Sequence, residues 1–233
     1  LYDKCQWGPS KKAEREEFLQ QLRGKICYGG VDLSTSRDMT AFVLLFPPQP
    51  GLDAAVLLPT IWRPGGTVLE AEKRDHVPYR DWARAGFLRL CDGDTIDYDD
   101  VENTIKEAAE IYDLKQVGFD PYLSRTITQR LTPHVNVIEI PQDLKNMSPA
   151  MKETDTLMAN HQLLHVHNTC FRWTFGNVRC YEDCNGNIRP QKHRSIGRID
   201  PTVASIIVVA VWMIVRNQPE DLADVIESGK FSM

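Results

Sequence analysis

Apolar runs separated by turn signals divide the chain into short strands and amphipathic helices. Residues 10–23, SKKAEREEFLQQLR, are polar and helix-forming, with Ser10 placed as a cap, so a peripheral helix is expected there. KICYGGVDL then reads as a strand ending near Asp32. After the turn STSRDMT, the unbroken apolar run AFVLLF (41–46) predicts a buried strand, stopped by PPQPG. AAVLLPTIWRP (54–64) reads as a third strand. Three strands with short connections are expected to form an antiparallel meander.

The second half alternates. Residues 67–86 are helical but broken at Pro78, and GFLRLCDGDTID holds a short strand and a turn. Asp97 or Asp99 can cap a helix over about 100–112, with Val101, Ile105, Ala108 and Ala109 on one face. KQVGFD is a fourth strand ending at Asp120, followed by a helix at 122–131. VNVIEI is a fifth strand, and 148–164 a further helix. VRCYEDCNGNIRPQ reads as a hairpin turning at Asn185-Gly186. The last long element spans 201–216, with Asp200 as its cap and Pro201 in its first turn. This order predicts one α/β domain.

Composition narrows the class. The 233 residues are 42% hydrophobic and 25% charged, which suits a soluble globular domain. A net charge of −5 argues against coating nucleic acid through bulk charge, but leaves room for one local basic patch. The apolar stretch 203–215 falls short of the roughly 20 residues that span a bilayer. The first 25 residues are polar and carry KKAEREE, so no signal peptide is expected. The six cysteines include no CxxC pair, and free thiols are expected. No GxxxxGK[ST] pattern occurs, so the chain alone is not expected to be a P-loop ATPase.

Three aspartates stand at comparable points. Asp32 ends the first strand, Asp120 ends the fourth, and Asp200 opens the last helix. Sites gather at the carboxyl ends of strands in open α/β sheets. Three carboxylates in one pocket would repel and take up protons unless a cation neutralised them, and all-oxygen ligands suit Mg²⁺ or Mn²⁺. Two such ions can activate water and stabilise the leaving oxygen of a phosphodiester. Each aspartate also has a structural reading: Asp32 starts a turn, Asp120-Pro121 is a turn pair, and Asp200 caps a helix. The residues alone leave both readings open.

Longer motifs add to this. GGVDLSTSRDMTAFVLLF resembles the first catalytic strand of the nuclease domain of tailed-phage terminase large subunits, and VGFDPYLS resembles its second acidic motif. MSPAMKETDTLMANHQLLH, FRWTFGNV and NGNIRPQKHRSIGRIDPTVASIIVVAVW resemble the family's C-terminal stretch. The resemblance covers about 25–215. It implies a ribonuclease H-like, resolvase-like mixed sheet, a three-strand antiparallel meander plus parallel strands, flanked by helices and with a β-hairpin insertion near 178–191. It implies a metal-dependent endonuclease that cuts concatemeric double-stranded viral DNA during packaging. Asp32, Asp120 and Asp200 would be catalytic and hold Mg²⁺ or Mn²⁺, two ions in the active complex. Asp38, six positions after Asp32, is a candidate fourth ligand, with pairing to a nearby base or capping a turn as its alternatives.

The same resemblance implies an ATPase half preceding Leu1, and as partners DNA, that ATPase domain, the small terminase subunit and the portal protein, in the host cytoplasm with no membrane. Residues 1–24 would be a linker with a peripheral helix, 25–217 the nuclease domain and 218–233 a tail. Arg189, Lys192, Arg194 and Arg198 form a basic stretch before Asp200 and are the expected DNA contacts, Lys192 foremost. Ser34, Thr35 and Thr40 are candidates to hydrogen-bond the carboxylates, or to close their own turn. The rival readings are a resolvase or transposase, an actin-like ATPase, and a non-catalytic packaging module.

Overall fold

The computed structural model describes residues 2–34, 38–122 and 124–217. Thr35 and the expected tail at 218–233 lie outside the described residues. The strands are β1 (Gln6–Trp7), β2 (Ile26–Asp32), β3 (Thr40–Phe46), β4 (Ala55–Pro64), β5 (Arg89–Cys91), β6 (Asp113–Phe119), β7 (Val137–Glu139), β8 (Leu163–Val166), β9 (Cys180–Glu182) and β10 (Ile188–Pro190). The helices are α1 (Lys12–Leu19), α2 (Val68–Asp75), α3 (Tyr79–Arg84), α4 (Tyr98–Ile111), α5 (Arg125–Leu131), α6 (Leu144–Ala159), α7 (Thr169–Asn177) and α8 (Asp200–Arg216).

The expected meander forms: β2 pairs antiparallel with β3, and β3 with β4. β6 joins β2 in parallel, so Asp32 and the residue after Phe119 reach the same edge of the sheet. The main sheet runs β1-β8-β4-β3-β2-β6-β7, with β5 beside the end of β4. β9 and β10 form the separate expected hairpin, turning through Gly186 at φ +74° while the Asp183 carboxylate accepts from the amides of Asn185 and Asn187.

Both faces of the sheet are covered, which is why its central strands read as unbroken apolar runs. On one face lies α8, buried along most of its length against β2, β3 and β6. Its close approach depends on two glycines. A Cβ on Gly30 would strike the backbone at Ala204 and Val208, and one on Gly118 would strike Val211. On the other face Val101, Ile105 and Ala108 of α4, with Ile127 and Leu131 of α5, pack over Phe42, Val117 and Phe119. Asp97 caps α4 as expected, accepting from the amides of Asp99 and Asp100.

Several boundaries differ from expectation. Ser10 does not cap α1: the cap position is Lys11, with no side-chain bond. Helix α6 begins at Leu144, not 148, because the Asp143 carboxylate accepts from the Asn146 amide and supplies an earlier start. Pro149 then lies inside the helix, where it has no N–H to donate to the carbonyl of Lys145, an exposed residue one turn earlier. The helix stops at Ala159, and Leu163–Val166 becomes β8, held between β4 and the short β1.

Candidate active site

Asp32 lies at the last position of β2 and Asp200 at the first of α8. Both carboxylates are buried, with side chains 2% and 5% exposed. Lys192 joins them. Its Nζ donates to Asp32 Oδ2 at 2.8 Å and to Asp200 Oδ1 at 2.9 Å. Gln142, just beyond β7, donates from Nε2 to Asp32 Oδ1 at 3.0 Å. Asp120 follows β6, and its Oδ1 accepts from the Tyr122 amide at 3.0 Å. Asp32, Asp120, Tyr122, Gln142 and Lys192 line one cavity of about 130 Å³.

The electrostatics follow from this crowding. Burial pushes the Asp32 and Asp200 carboxyls above the ordinary carboxylate range, and charge repulsion among the aspartates adds to it, while Lys192 opposes both. Burial disfavours the charge on Lys192, but the two carboxylates outweigh it and hold the ammonium charged well above the usual lysine range. Two buried acids share one lysine head, which leaves the pocket short of positive charge. Among the described residues, no three His, Cys, Asp or Glu side chains converge closely enough to hold a cation as they stand. The donor set is nonetheless hard oxygen, and a cationic head already sits in it.

One expectation is corrected. Asp200 does not cap α8: the cap position is Ile199, without a side-chain bond, and the Asp200 carboxylate turns to Lys192 instead. The helix-cap reading therefore no longer accounts for this residue. Of the two readings open for Ser34 and Thr40, the local one has support: Ser34 N donates to Thr40 Oγ1 at 3.0 Å. Asp120 keeps its turn role, and its position in the cavity is compatible with a second one.

Asp38 stands in a neighbouring cluster. Arg198 donates from Nη1 to Asp38 Oδ2 at 2.7 Å and also approaches Asp75 at 3.8 Å. Asp38 thus has the basic partner that one of its alternative readings called for, and Arg198 is engaged within the protein rather than free for DNA. Arg189 and Arg194 are exposed, and Arg189 stacks over Tyr181 with 5.6 Å to the ring centroid. Arg189 and Lys145 also line an open groove that shares Asp120 and Gln142 with the cavity. Leu33, which also lines the cavity, borders a separate cleft of about 620 Å³ that carries Asp92, Asp97, Asp99 and Glu102 with Arg130. Gln142 was not foreseen from the sequence. Its 110-residue separation from Asp32 leaves no local signal.

The family model described as "Terminase large subunit, endonuclease domain" matches residues 16–217. The large terminase subunit of Enterobacteria phage HK97 is 31% identical over 185 residues, covering 78% of this chain and 36% of that protein. Protein YmfN of Escherichia coli K12 is 28% identical over 222 residues, covering 90% and 48%. The chain thus spans less than half the length of these curated relatives. A crystal structure of the HK97 large terminase superposes with a TM-score of 0.73 at 28% identity, covering 84% of this chain and 42% of that one. The large terminase nuclease of thermophilic phage G20c with bound magnesium superposes with a TM-score of 0.52 at 14% identity, covering 79% and 80%, which supports the fold. The mixed sheet flanked by helices is the ribonuclease H-like arrangement expected from the motifs. Because the family model covers most of its length, the chain belongs to the endonuclease-domain family of phage terminase large subunits.

Proposed function

We propose that this domain cuts double-stranded DNA by divalent-metal-dependent phosphodiester hydrolysis, with Asp32, Asp120 and Asp200 as the metal-holding residues. The supporting observation is the meeting of Asp32 and Asp200 around a single cationic head, with Asp120 on the wall of the same cavity. The carboxylates would hold Mg²⁺ or Mn²⁺, two ions in the active complex, which supply a nucleophilic water and charge compensation at the leaving oxygen. Gln142 fixes the Asp32 carboxylate so that its second oxygen faces Lys192. The G20c nuclease structure with bound magnesium is in keeping with this reading.

DNA would approach from the side of Arg189, Arg194 and Lys145. The acidic cleft bordered by Leu33 would repel the phosphate backbone, so it marks the side the duplex avoids. In its biological setting the domain would cut concatemeric viral DNA during packaging, in the host cytoplasm. It would be joined to an ATPase half and work with a small terminase subunit and a portal protein. The test is cleavage of plasmid DNA in Mn²⁺ or Mg²⁺ by the wild type and by Asp32→Asn, Asp120→Asn and Asp200→Asn. The wild type should linearise plasmid only with metal, and each variant should fall to background. Cleavage by all three variants at the wild-type rate would rule the site out.

A further inference from the structure

We infer that Lys192 is the resident counter-ion of the Asp32–Asp200 pair, and that a divalent cation enters by displacing its ammonium, so that Lys192 sets how tightly the site holds metal. This rests on the reading above only in placing the cation at Asp32 and Asp200.

The geometry gives the reason. Nζ uses Asp32 Oδ2 and Asp200 Oδ1, and Gln142 takes Asp32 Oδ1. A cation that bridges the same two carboxylates competes with Nζ for Asp32 Oδ2 and Asp200 Oδ1. It would also bring two positive charges into close repulsion in a poorly solvated pocket. That repulsion, with the competition for oxygens, favours withdrawal of one of the two cations.

The architecture decides which partner moves. Asp32 is fixed in a central strand and Asp200 in the buried first turn of α8. Lys192 belongs to a one-turn 3-10 segment, Lys192–Arg194, in which no residue is buried. Its side chain is 41% exposed, so the head has a path to solvent along its own flexible stem. Without metal, the lysine spares the domain two uncompensated buried carboxylates, which are strongly destabilising when left alone. Occupancy by the lysine and by the ion are then reciprocally linked: whatever weakens one strengthens the other.

The experiment is titration calorimetry of Mn²⁺ into the wild type, Lys192→Met, Asp32→Asn and Asp200→Asn, with amine-reactive labelling of the wild type read by mass spectrometry. Lys192→Met should bind Mn²⁺ more tightly by on the order of tenfold, the scale of ordinary coupling between sites. The two aspartate variants should bind it more weakly. Labelling of Lys192, normalised to the far more exposed Lys11, should accelerate when Mn²⁺ saturates the site. If Lys192→Met binds no more tightly while the aspartate variants weaken, the lysine does not compete, and the metal site stands without it. If the aspartate variants bind as the wild type does, the cation lies elsewhere and both readings fall. Should Lys192→Met not fold, labelling decides alone: an unchanged Lys192 rate with Mn²⁺ overturns the inference.

Discussion

Two clusters of acid and base stand side by side at the carboxyl end of the sheet, and they handle the same charges differently. In one, Lys192 bridges Asp32 and Asp200, both almost fully buried. In the other, Arg198 reaches Asp38 and Asp75, whose side chains are 38% and 9% exposed. Lysine carries a compact point charge on a flexible stem, which an ion can replace. Arginine offers a planar fork, and Arg198 is one of several partners around Asp75, which also accepts from Arg74 and from Tyr79 at 2.7 Å. These partners outweigh burial and hold the Asp75 carboxyl below the ordinary range, whereas burial holds Asp32 and Asp200 above it, and burial with the nearby Asp200 charge raises Asp38 as well. Satisfied carboxylates build a wall. Carboxylates with too little positive charge around them are the ones that can take up a cation.

The sharpest way to break this division is to neutralise one charged residue in each cluster. Asp32→Asn or Asp200→Asn should reduce cleavage to background while circular dichroism stays native. Arg198→Met should leave measurable cleavage but lower stability by about 1–2 kcal/mol, because charge-assisted hydrogen bonds to Asp38 and Asp75 are lost. An Arg198→Met or Asp38→Asn variant that unfolds at the wild-type denaturant midpoint yet cuts nothing would move the second cluster into the catalytic machinery. Asp38 would then take the ligand role that the sequence left open.

A smaller effect separates both clusters from the surface charges. Arg189→Ala with Arg194→Ala should weaken DNA binding for all sequences alike and lower the slope of log K against log salt by about 1–2. A slope equal to that of the wild type would show that the duplex lies elsewhere.

The smallest expected effect concerns the fold away from the site. His165 on β8 is 4% exposed and stacks on Tyr2 with ring centroids 3.7 Å apart. Burial lowers its pKa below the ordinary 6.5, although the carbonyls of Tyr2 and Val166 pull the other way. The unfolded chain therefore binds a proton below about pH 6.5 that the folded chain resists. The stability from this residue is present above that pH and is lost as the pH falls. Melting curves from pH 7.5 to 5.5 should show a decline that His165→Gln flattens; an identical slope in the variant would assign acid sensitivity to other groups.

How legible this was depended on the range of the interactions. AFVLLF and its neighbours announced the meander because strands buried on both faces leave continuous apolar runs between turn residues. Asp97 announced α4 because a cap acts within three residues. By contrast, β1 is two residues long and β8 four, and each is defined by its parallel partner across the sheet rather than by local pattern. Helix α6 starts four residues before the expected 148, because the Asp143 carboxylate caps it from outside the stretch read as helical.

The site divides in the same way. Asp32, Asp120 and Asp200 stood out because strand ends and helix starts can be read locally. The role of Asp200 was not readable, since a cap explained it equally well until the fold turned its carboxylate toward Lys192. The lysine was picked out as a DNA contact, but its bond to Asp32 spans 160 residues and only the tertiary structure brings the two together.

The most direct measurement is an anomalous difference map from crystals of the domain soaked in Mn²⁺. Density should lie between Asp32 and Asp200, in reach of Asp120, with the Lys192 head withdrawn. An empty pocket at saturating Mn²⁺, or density bound only at the Asp38–Arg198–Asp75 cluster or the acidic cleft bordered by Leu33, would contradict the assignment of these three aspartates as the metal site.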